Sequence, residues 1–253
     1  MGKNSAIEWT DHTFNPWWGC ERVSPACDNC YAETWAHRLG KDLWGKDAPR
    51  RFFSDDHWRE PFRWNRQAER EGNRRRVFCA SMADVFERRK DLDAERERLW
   101  PVIENTPMLD WLLLTKRPAN ARTIAPWGND WPSNVWLGTT AENQQWYEAR
   151  AKHLDAAPAR IVFMSFEPLL GPISLQDRRL DWAIVGGESG VRARAMEPQW
   201  ALSLRDQCVA RGIPFHFKQW GEYRMGELLG KKKSGRMLEG RTWDELPVNA
   251  AFG

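Results

Sequence analysis

No apolar run in this chain approaches the ~20 residues that a membrane-spanning helix needs, so none is expected to cross a bilayer. The N-terminal MGKNSAIEWT lacks the apolar stretch of a secretory signal, and export is not expected. An N-myristoylation signal has Ser or Thr where this chain has Ala6. Cysteines number five, an odd count. Without an export signal, that argues against a disulfide framework and leaves the thiols reduced or metal-bound in the cytoplasm. Low-complexity tracts are missing, as is any linker rich in Pro, Gly or Ser, so the 253 residues read as one domain. Net charge is also scarce, at +3, which is too little for a strong nucleic-acid field. The basic runs Arg74–Arg76, Arg88–Lys90 and Lys231–Lys233 therefore read first as solvated faces.

What is abundant is tryptophan, at 17 residues. Pairs such as Trp17-Trp18 could stack on a base or an adenine, but filling a core or lining a pocket is the preferred reading. Short apolar runs recur along the chain. A weak one, Ala6–Thr10, is followed by Arg76–Ala80, Trp111–Thr115, Val135–Gly138, Ile161–Met164, Trp182–Gly186 and Pro214–Phe217. They are four to six residues long and rich in β-branched and aromatic residues, as parallel strands buried on both faces are. Helix-like stretches lie between them at Tyr31–Leu39, Ala94–Asn105, Gln144–Leu154 and Gln199–Arg211. The last has Pro198 near its start and Gly212 past its end. The alternation predicts an α/β fold, a single full or partial TIM-like (β/α) barrel of six to seven parallel strands. The barrel is expected over residues 1–223. The tail, 224–253, belongs to the same domain as a hairpin or cap, with Ser-Gly and Glu-Gly turn signals in KKKSGRMLEGRTWDELP.

In such barrels the chemistry sits at the C-terminal strand ends. There the sequence places the loop of Cys20, Cys27 and Cys30, then Ser81, Met82 and Asp84, then Lys116 and Arg117. Thr139, Thr140, Glu142 and Asn143 follow, then Ser165 and Glu167, then Gly187, Glu188 and Ser189, then Lys218 and Gln219. Every strand thus ends in residues able to bind a polar ligand. Glu167 and Glu188 could form a general acid/base pair or be two carboxylates placed by chance. GGESG could bring backbone N–H groups to an anion or serve as a tight turn. Lys116 reads as ligand-binding in preference to a structural ion pair. Cys79 reads as a small core residue, with a cavity-facing thiol as the alternative. Cys208 and His37 read as packing or surface residues.

Cys20, Cys27 and Cys30 are spaced C-x6-C-x2-C. Thiolates suit zinc or iron–sulfur clusters. Structural zinc takes four ligands, so it would have to recruit His12, His37 or a distant residue. A 4Fe–4S cluster on three thiolates keeps one iron for an external ligand, such as the amino and carboxylate groups of an α-amino acid.

In order, NPWWGC-x6-CDNCYAE, SMADVFE, LLLTKRP, LGTTAEN, SFEPLLGPI, VGGESG and FKQWGEY run from about Ile7 to Pro247. This series resembles the three-cysteine-motif phage and bacterial proteins, a family known as a domain of unknown function. That family in turn looks like a branch of the radical S-adenosylmethionine (SAM) enzymes, with some similarity to the spore photoproduct lyases. The resemblance implies a 4Fe–4S cluster on Cys20, Cys27 and Cys30, with SAM as cofactor. It places Ser81, and Asp84 in the same stretch, beside the SAM amino group, and Lys116, Thr139, Thr140 and Ser165 with its carboxylate or ribose. Cys79 is similar in position to a hydrogen-donating cysteine of the lyases. Glu167, Glu188 and Lys218 would face the substrate or the adenosyl group. An electron donor, a three-Cys-motif partner protein, and a nucleotide or nucleic-acid substrate are the implied partners.

The sequence departs from the usual radical SAM spacing, C-x3-C-x2-C, by three extra residues in the first gap, and Asn29 stands where an aromatic residue is usual. Lengthening a flexible loop costs little entropy. Three functions therefore stand side by side: a radical SAM enzyme, a zinc-stabilised nucleic-acid-binding module without catalysis, and a cofactor-free barrel hydrolase using Glu167 and Glu188. The metal separates them.

Overall fold

The structure, a computed structural model, describes residues 4–247. The first strand, β1 (His12–Thr13), leads through the cysteine loop to α1 (Tyr31–Arg38), α2 (Asp55–Trp58) and α3 (Glu60–Glu71). Next come β2 (Arg75–Cys79), α4 (Asp93–Glu104), β3 (Leu109–Thr115), α5 (Ala121–Ile124) and β4 (Val135–Thr140). They are followed by α6 (Gln144–Asp155), β5 (Ile161–Phe166), β6 (Trp182–Gly186), α7 (Pro198–Ala210) and β7 (Phe215–Gln219). The tail holds β8 (Tyr223–Arg224), β9 (Glu227–Leu228) and one helical turn, α8 (Lys231–Ser234). Strands β1 to β7 form one sheet in chain order, and β1·β2, β2·β3, β5·β6 and β6·β7 pair in parallel. This is the α/β pattern of a partial barrel, as the apolar runs predict. Two compact units divide the chain: one runs to Gly138 and includes Ala156–Arg160, and the other holds Thr139–Asp155 and the residues from Ile161.

In the first unit, the register sets Cys79 opposite Leu113 and Val77 opposite both His12 and Trp111. Its core is aromatic. Phe14 meets the edges of Trp58 and Trp111 at 5.3 and 5.7 Å between ring centres. Trp9, Trp17, Trp64 and Trp100 are also buried, so tryptophan here fills a core. Trp18 is half-buried beneath the Arg51 guanidinium, 4.5 Å from its ring centre. Helices α2 and α3 are not legible as apolar runs. In α3, Pro61 sits in the first turn and only Pro61, Trp64 and Ala68 supply an apolar stripe, which packs beside β2 and β3. The predicted strand at Ala6–Thr10 is instead a turn, closed by Thr10 N–H donating to Ile7 C=O at 3.2 Å. Pairing falls on His12–Thr13, which is polar yet buried.

In the second unit, β5 and β6 are buried along their whole length, as expected of strands covered on both faces. Helix α7 starts on Pro198, and Gly212 follows its end at φ 64°, a conformation that costs glycine little. The tail does cap β7. Phe217 N–H donates to Trp243 C=O at 2.9 Å, and Trp182 Nε1 donates to Glu245 C=O at 2.9 Å. The antiparallel hairpin β8–β9 opens the tail predicted as a hairpin or cap, and Leu238 pairs with Arg241 across the Glu-Gly turn further on. The β8–β9 turn residues Met225 and Gly226 have φ of 52° and 81°, the signs a tight two-residue hairpin turn requires.

Candidate functional site

The strand-end residues fall into two groups, one in each unit. In the first, the cysteine loop is stitched to the SMAD loop after β2. Asn15 Nδ2 donates to Ser81 Oγ at 3.0 Å, and Asn15 Oδ1 accepts from Met82 N–H at 2.7 Å. Gly19 N–H donates to Met82 C=O at 3.0 Å, and Tyr31 Oη donates to Ser81 C=O at 2.8 Å. Cys20 leaves this stitch, Cys27 ends a one-turn 3₁₀ helix at Pro25–Cys27, and Cys30 caps α1. All three thiols are half-buried and unbridged.

Asp84 is the hub beside them, 4% exposed. Its Oδ1 accepts from Thr115 Oγ1 at 2.7 Å and Phe86 N–H at 3.0 Å. Its Oδ2 accepts from Lys116 N–H and Arg117 Nη1, each at 3.1 Å. The same Nη1 lies 3.7 Å from Cys20 Sγ, and Nη2 donates to Glu21 C=O at 2.8 Å. So it is Arg117, not Lys116, that makes the structural ion pair of LTKRP. Burial, and then the Asp84 charge, push the Cys20 thiol up to about 12, against the pull of Arg117. Burial raises Cys30 too, opposed by the Glu33 amide and the Lys116 charge. Both are thus protonated thiols in the metal-free protein, and a metal would have to displace their protons.

Three free thiols are donors of the type that an iron–sulfur cluster takes. Among the described residues, no three His, Cys, Asp or Glu side chains are grouped closely enough to hold a metal ion. Of the two histidines that a closed zinc site would recruit, His12 is buried and stacks on Trp64 at 4.5 Å, and His37 is exposed, 3.6 Å from Asp42. Cys79 is fully buried in β2, and burial alone raises its thiol. That makes it a neutral S–H.

In the second unit, Thr139 and Thr140 are buried at the end of β4. Thr140 C=O accepts from Arg150 Nη1 at 2.8 Å, and the same Nη1 pairs with the fully buried Glu142 at 3.0 Å. Glu167 links Ser165 and Lys218: Ser165 Oγ donates to Oε2 at 3.2 Å, and Lys218 Nζ lies 3.1 Å from Oε1. A Cβ on Gly186 would stand 2.6 Å from that Oε1, so glycine makes room for the carboxylate. Glu188 is clasped by Arg194, Nη2 to Oε1 at 2.6 Å and Nε to Oε2 at 2.9 Å, with the Arg194 N–H at 2.8 Å. Both carboxylate oxygens are thus taken up by a bidentate ion pair, which leaves the Glu167/Glu188 hydrolase without a free second carboxylate. Gly187 packs directly on Trp220 C=O, where a Cβ would come within 1.9 Å. GGESG is therefore a close-packed turn. Asn15 and Tyr31 stand in the NPWWGC and CDNCYAE motifs, but nothing in the spacing marks them as partners of the loop after β2, or Arg194 as the partner of Glu188.

A family model described as "Protein of unknown function (DUF5131)" matches residues 4–247. The chain belongs to that family. Among curated proteins, none matches this DUF5131 chain. It is similar to solved structures of spore photoproduct lyase. One, a mutant with bound AdoMet and dinucleoside spore photoproduct, is 13% identical, with a TM-score of 0.46 over 73% of this chain and 60% of that one. Another, complexed with dinucleoside spore photoproduct, is 14% identical, with a TM-score of 0.48 over 74% of this chain and 58% of that one. The DUF5131 chain thus spans about 60% of the length of those structures. Among its described residues, no helix is long and apolar enough to cross a membrane.

Proposed function

We propose that this chain is a radical SAM-type iron–sulfur enzyme of the three-cysteine-motif phage and bacterial kind, acting in the cytoplasm. The observation that carries it is a loop with three half-buried, unbridged thiols, Cys20, Cys27 and Cys30, with Arg117 beside the first. These three residues would hold a 4Fe–4S cluster. Together, that cluster and SAM supply an electron and a 5′-deoxyadenosyl radical able to abstract hydrogen from a substrate.

The chain's own residues bind, orient and exclude water. Ser81 is fixed by Asn15 and would meet the SAM amino group. Asp84, with four donors already on its carboxylate, serves by holding Lys116 and Arg117 in place. Lys116, Thr139, Thr140 and Ser165 are assigned to the SAM carboxylate and ribose. Lys218 and Glu167 form an ion pair at 3.1 Å and are assigned to the substrate or adenosyl side, with Glu188 behind Arg194. Cys79, fully buried in β2, is assigned to hydrogen-atom donation on the resemblance to the lyases alone. The substrate proposed is a nucleotide or nucleic-acid base, which would be flipped out of a duplex to reach the site. An electron donor and a three-Cys-motif partner protein complete the system.

Anaerobic reconstitution of wild type and Cys27→Ala, with iron, sulfide and zinc analysis, tests this. About four irons per chain in wild type, as the cluster's formula demands, with cysteine-dependent 5′-deoxyadenosine on adding dithionite and SAM, is the expected result. Stoichiometric zinc that resists exchange, with no deoxyadenosine, would sink the proposal.

A further inference from the structure

One guanidinium ties the cysteine loop to the end of β3. Arg117 reaches Cys20 Sγ, Asp84 Oδ2 and Glu21 C=O at 3.7, 3.1 and 2.8 Å. Its side chain is 12% exposed and that of Asp84 6%. Each terminal nitrogen of a guanidinium carries two hydrogens in a fixed plane, so Nη1 serves the sulfur and the carboxylate at once. Among the described residues, Arg117 is the side chain that hydrogen-bonds the Cys20 sulfur.

We propose that Arg117 is a positioning residue for the cluster: it pins Cys20 and donates a charge-assisted hydrogen bond to that ligand's sulfur, which makes the cluster easier to reduce. This inference rests on the function proposed above. Two observations support it. Six residues separate Cys20 from Cys27 but only two separate Cys27 from Cys30, so Cys20 is the ligand whose place the local chain fixes least. Tertiary contacts must do that instead. Gly45 N–H donates to Cys20 C=O at 3.0 Å and holds the backbone, while Arg117 holds the sulfur. The second observation is how firmly Arg117 is itself held, since Asp84 is fixed by Phe86 N–H, Thr115 Oγ1 and Lys116 N–H. An added electron places negative charge beside this fixed cation. Hydrogen bonds to the sulfurs and local net charge are the levers that set cluster potentials. Lysine keeps the charge but cannot reach three acceptors as a planar fork does.

The test compares wild type, Arg117→Gln, Arg117→Lys and Arg122→Gln, each reconstituted anaerobically. Arg122 is an exposed neighbour that donates to Asn129, so its loss controls for surface charge alone. The cluster midpoint potential is followed by electron paramagnetic resonance in a redox titration, and iron per chain is counted after desalting. Arg117→Gln is expected to shift the potential negative and to retain less iron. Arg117→Lys should fall between, and Arg122→Gln should match wild type. Wild-type potential and iron retention in Arg117→Lys and Arg117→Gln overturn the inference and leave the proposed function standing. Should Arg117→Gln lose its circular dichroism, Arg117→Lys decides. A wild type that takes up no cluster overturns both, and its iron count alone separates that result from a failure specific to Arg117.

Discussion

Replacing Asp84 by alanine removes one carboxylate and strands four donors. Phe86 N–H, Thr115 Oγ1 and Lys116 N–H lose an acceptor, and Arg117 loses the partner of a mostly buried charge. A buried donor left unsatisfied costs about 1–3 kcal/mol, and breaking a buried ion pair from one side costs about 3–5 kcal/mol. These costs overlap. The side chains are 12% and 6% exposed, so water reaches Arg117 in part and relaxation recovers some of the loss. The expected destabilisation of Asp84→Ala in the metal-free protein is therefore about 3–5 kcal/mol. At roughly 2–4 °C per kcal/mol for a chain of this size, the midpoint of thermal unfolding should fall on the order of 10 °C. Circular dichroism during heating, and a urea titration, measure it. The companion experiment is the double variant Asp84→Ala/Arg117→Gln. Once the cation is gone, no charge is left unpaired, so the double variant should be less destabilised than the sum of the singles, by about 1–3 kcal/mol. A loss below about 1 kcal/mol in Asp84→Ala, or strict additivity in the cycle, would show that the hub does not act as described.

Two further outcomes follow from buried groups. The thiols of Cys20 and Cys208 are pushed from the ordinary 9.0 up to about 12, chiefly by burial. Because the unfolded chain loses those protons first, their stabilising effect is full below pH 9 and is lost as pH climbs towards 12. Urea midpoints of the metal-free protein should thus decline through that window, and a flat profile would contradict the burial. Gly187→Ala forces a methyl to 1.9 Å from Trp220 C=O, which lies on backbone that cannot swing aside as a side chain would. It should cost about 1–3 kcal/mol, read as a lower melting temperature, and an unchanged one would refute the close-packed turn.

What was legible in the sequence divides along physical lines. Strands β2 to β7 announce themselves because a strand covered on both faces has to be apolar throughout. The start of the sheet hides because β1 is only His12–Thr13, polar residues buried by their neighbours, while the apolar Ala6–Thr10 folds into a turn. Helix α3 hides because Pro61, Trp64 and Ala68 alone carry its buried stripe amid Arg and Glu. The Glu-Gly signal marks a real turn, since Leu238 and Arg241 pair across Glu239-Gly240, whereas the β8–β9 turn at Met225–Gly226 has positive φ that only the fold reveals. The same division runs through the candidate site. Three cysteines within eleven residues are a local fact, so spacing exposes them. The bond from Arg117 to Asp84 is not local. It exists because β2 and β3 run side by side in a register that sets Cys79 against Leu113. Residues a few positions past each strand are then carried to the same level. A sequence states that both strands end in polar residues, but which ends become neighbours is settled by pairing. For that reason LTKRP shows two cations without showing which of them turns towards the cysteines. Arg117 does so because Asp84 and the Glu21 carbonyl offer two fixed acceptors, with the Cys20 sulfur between them, to a side chain built as a planar fork.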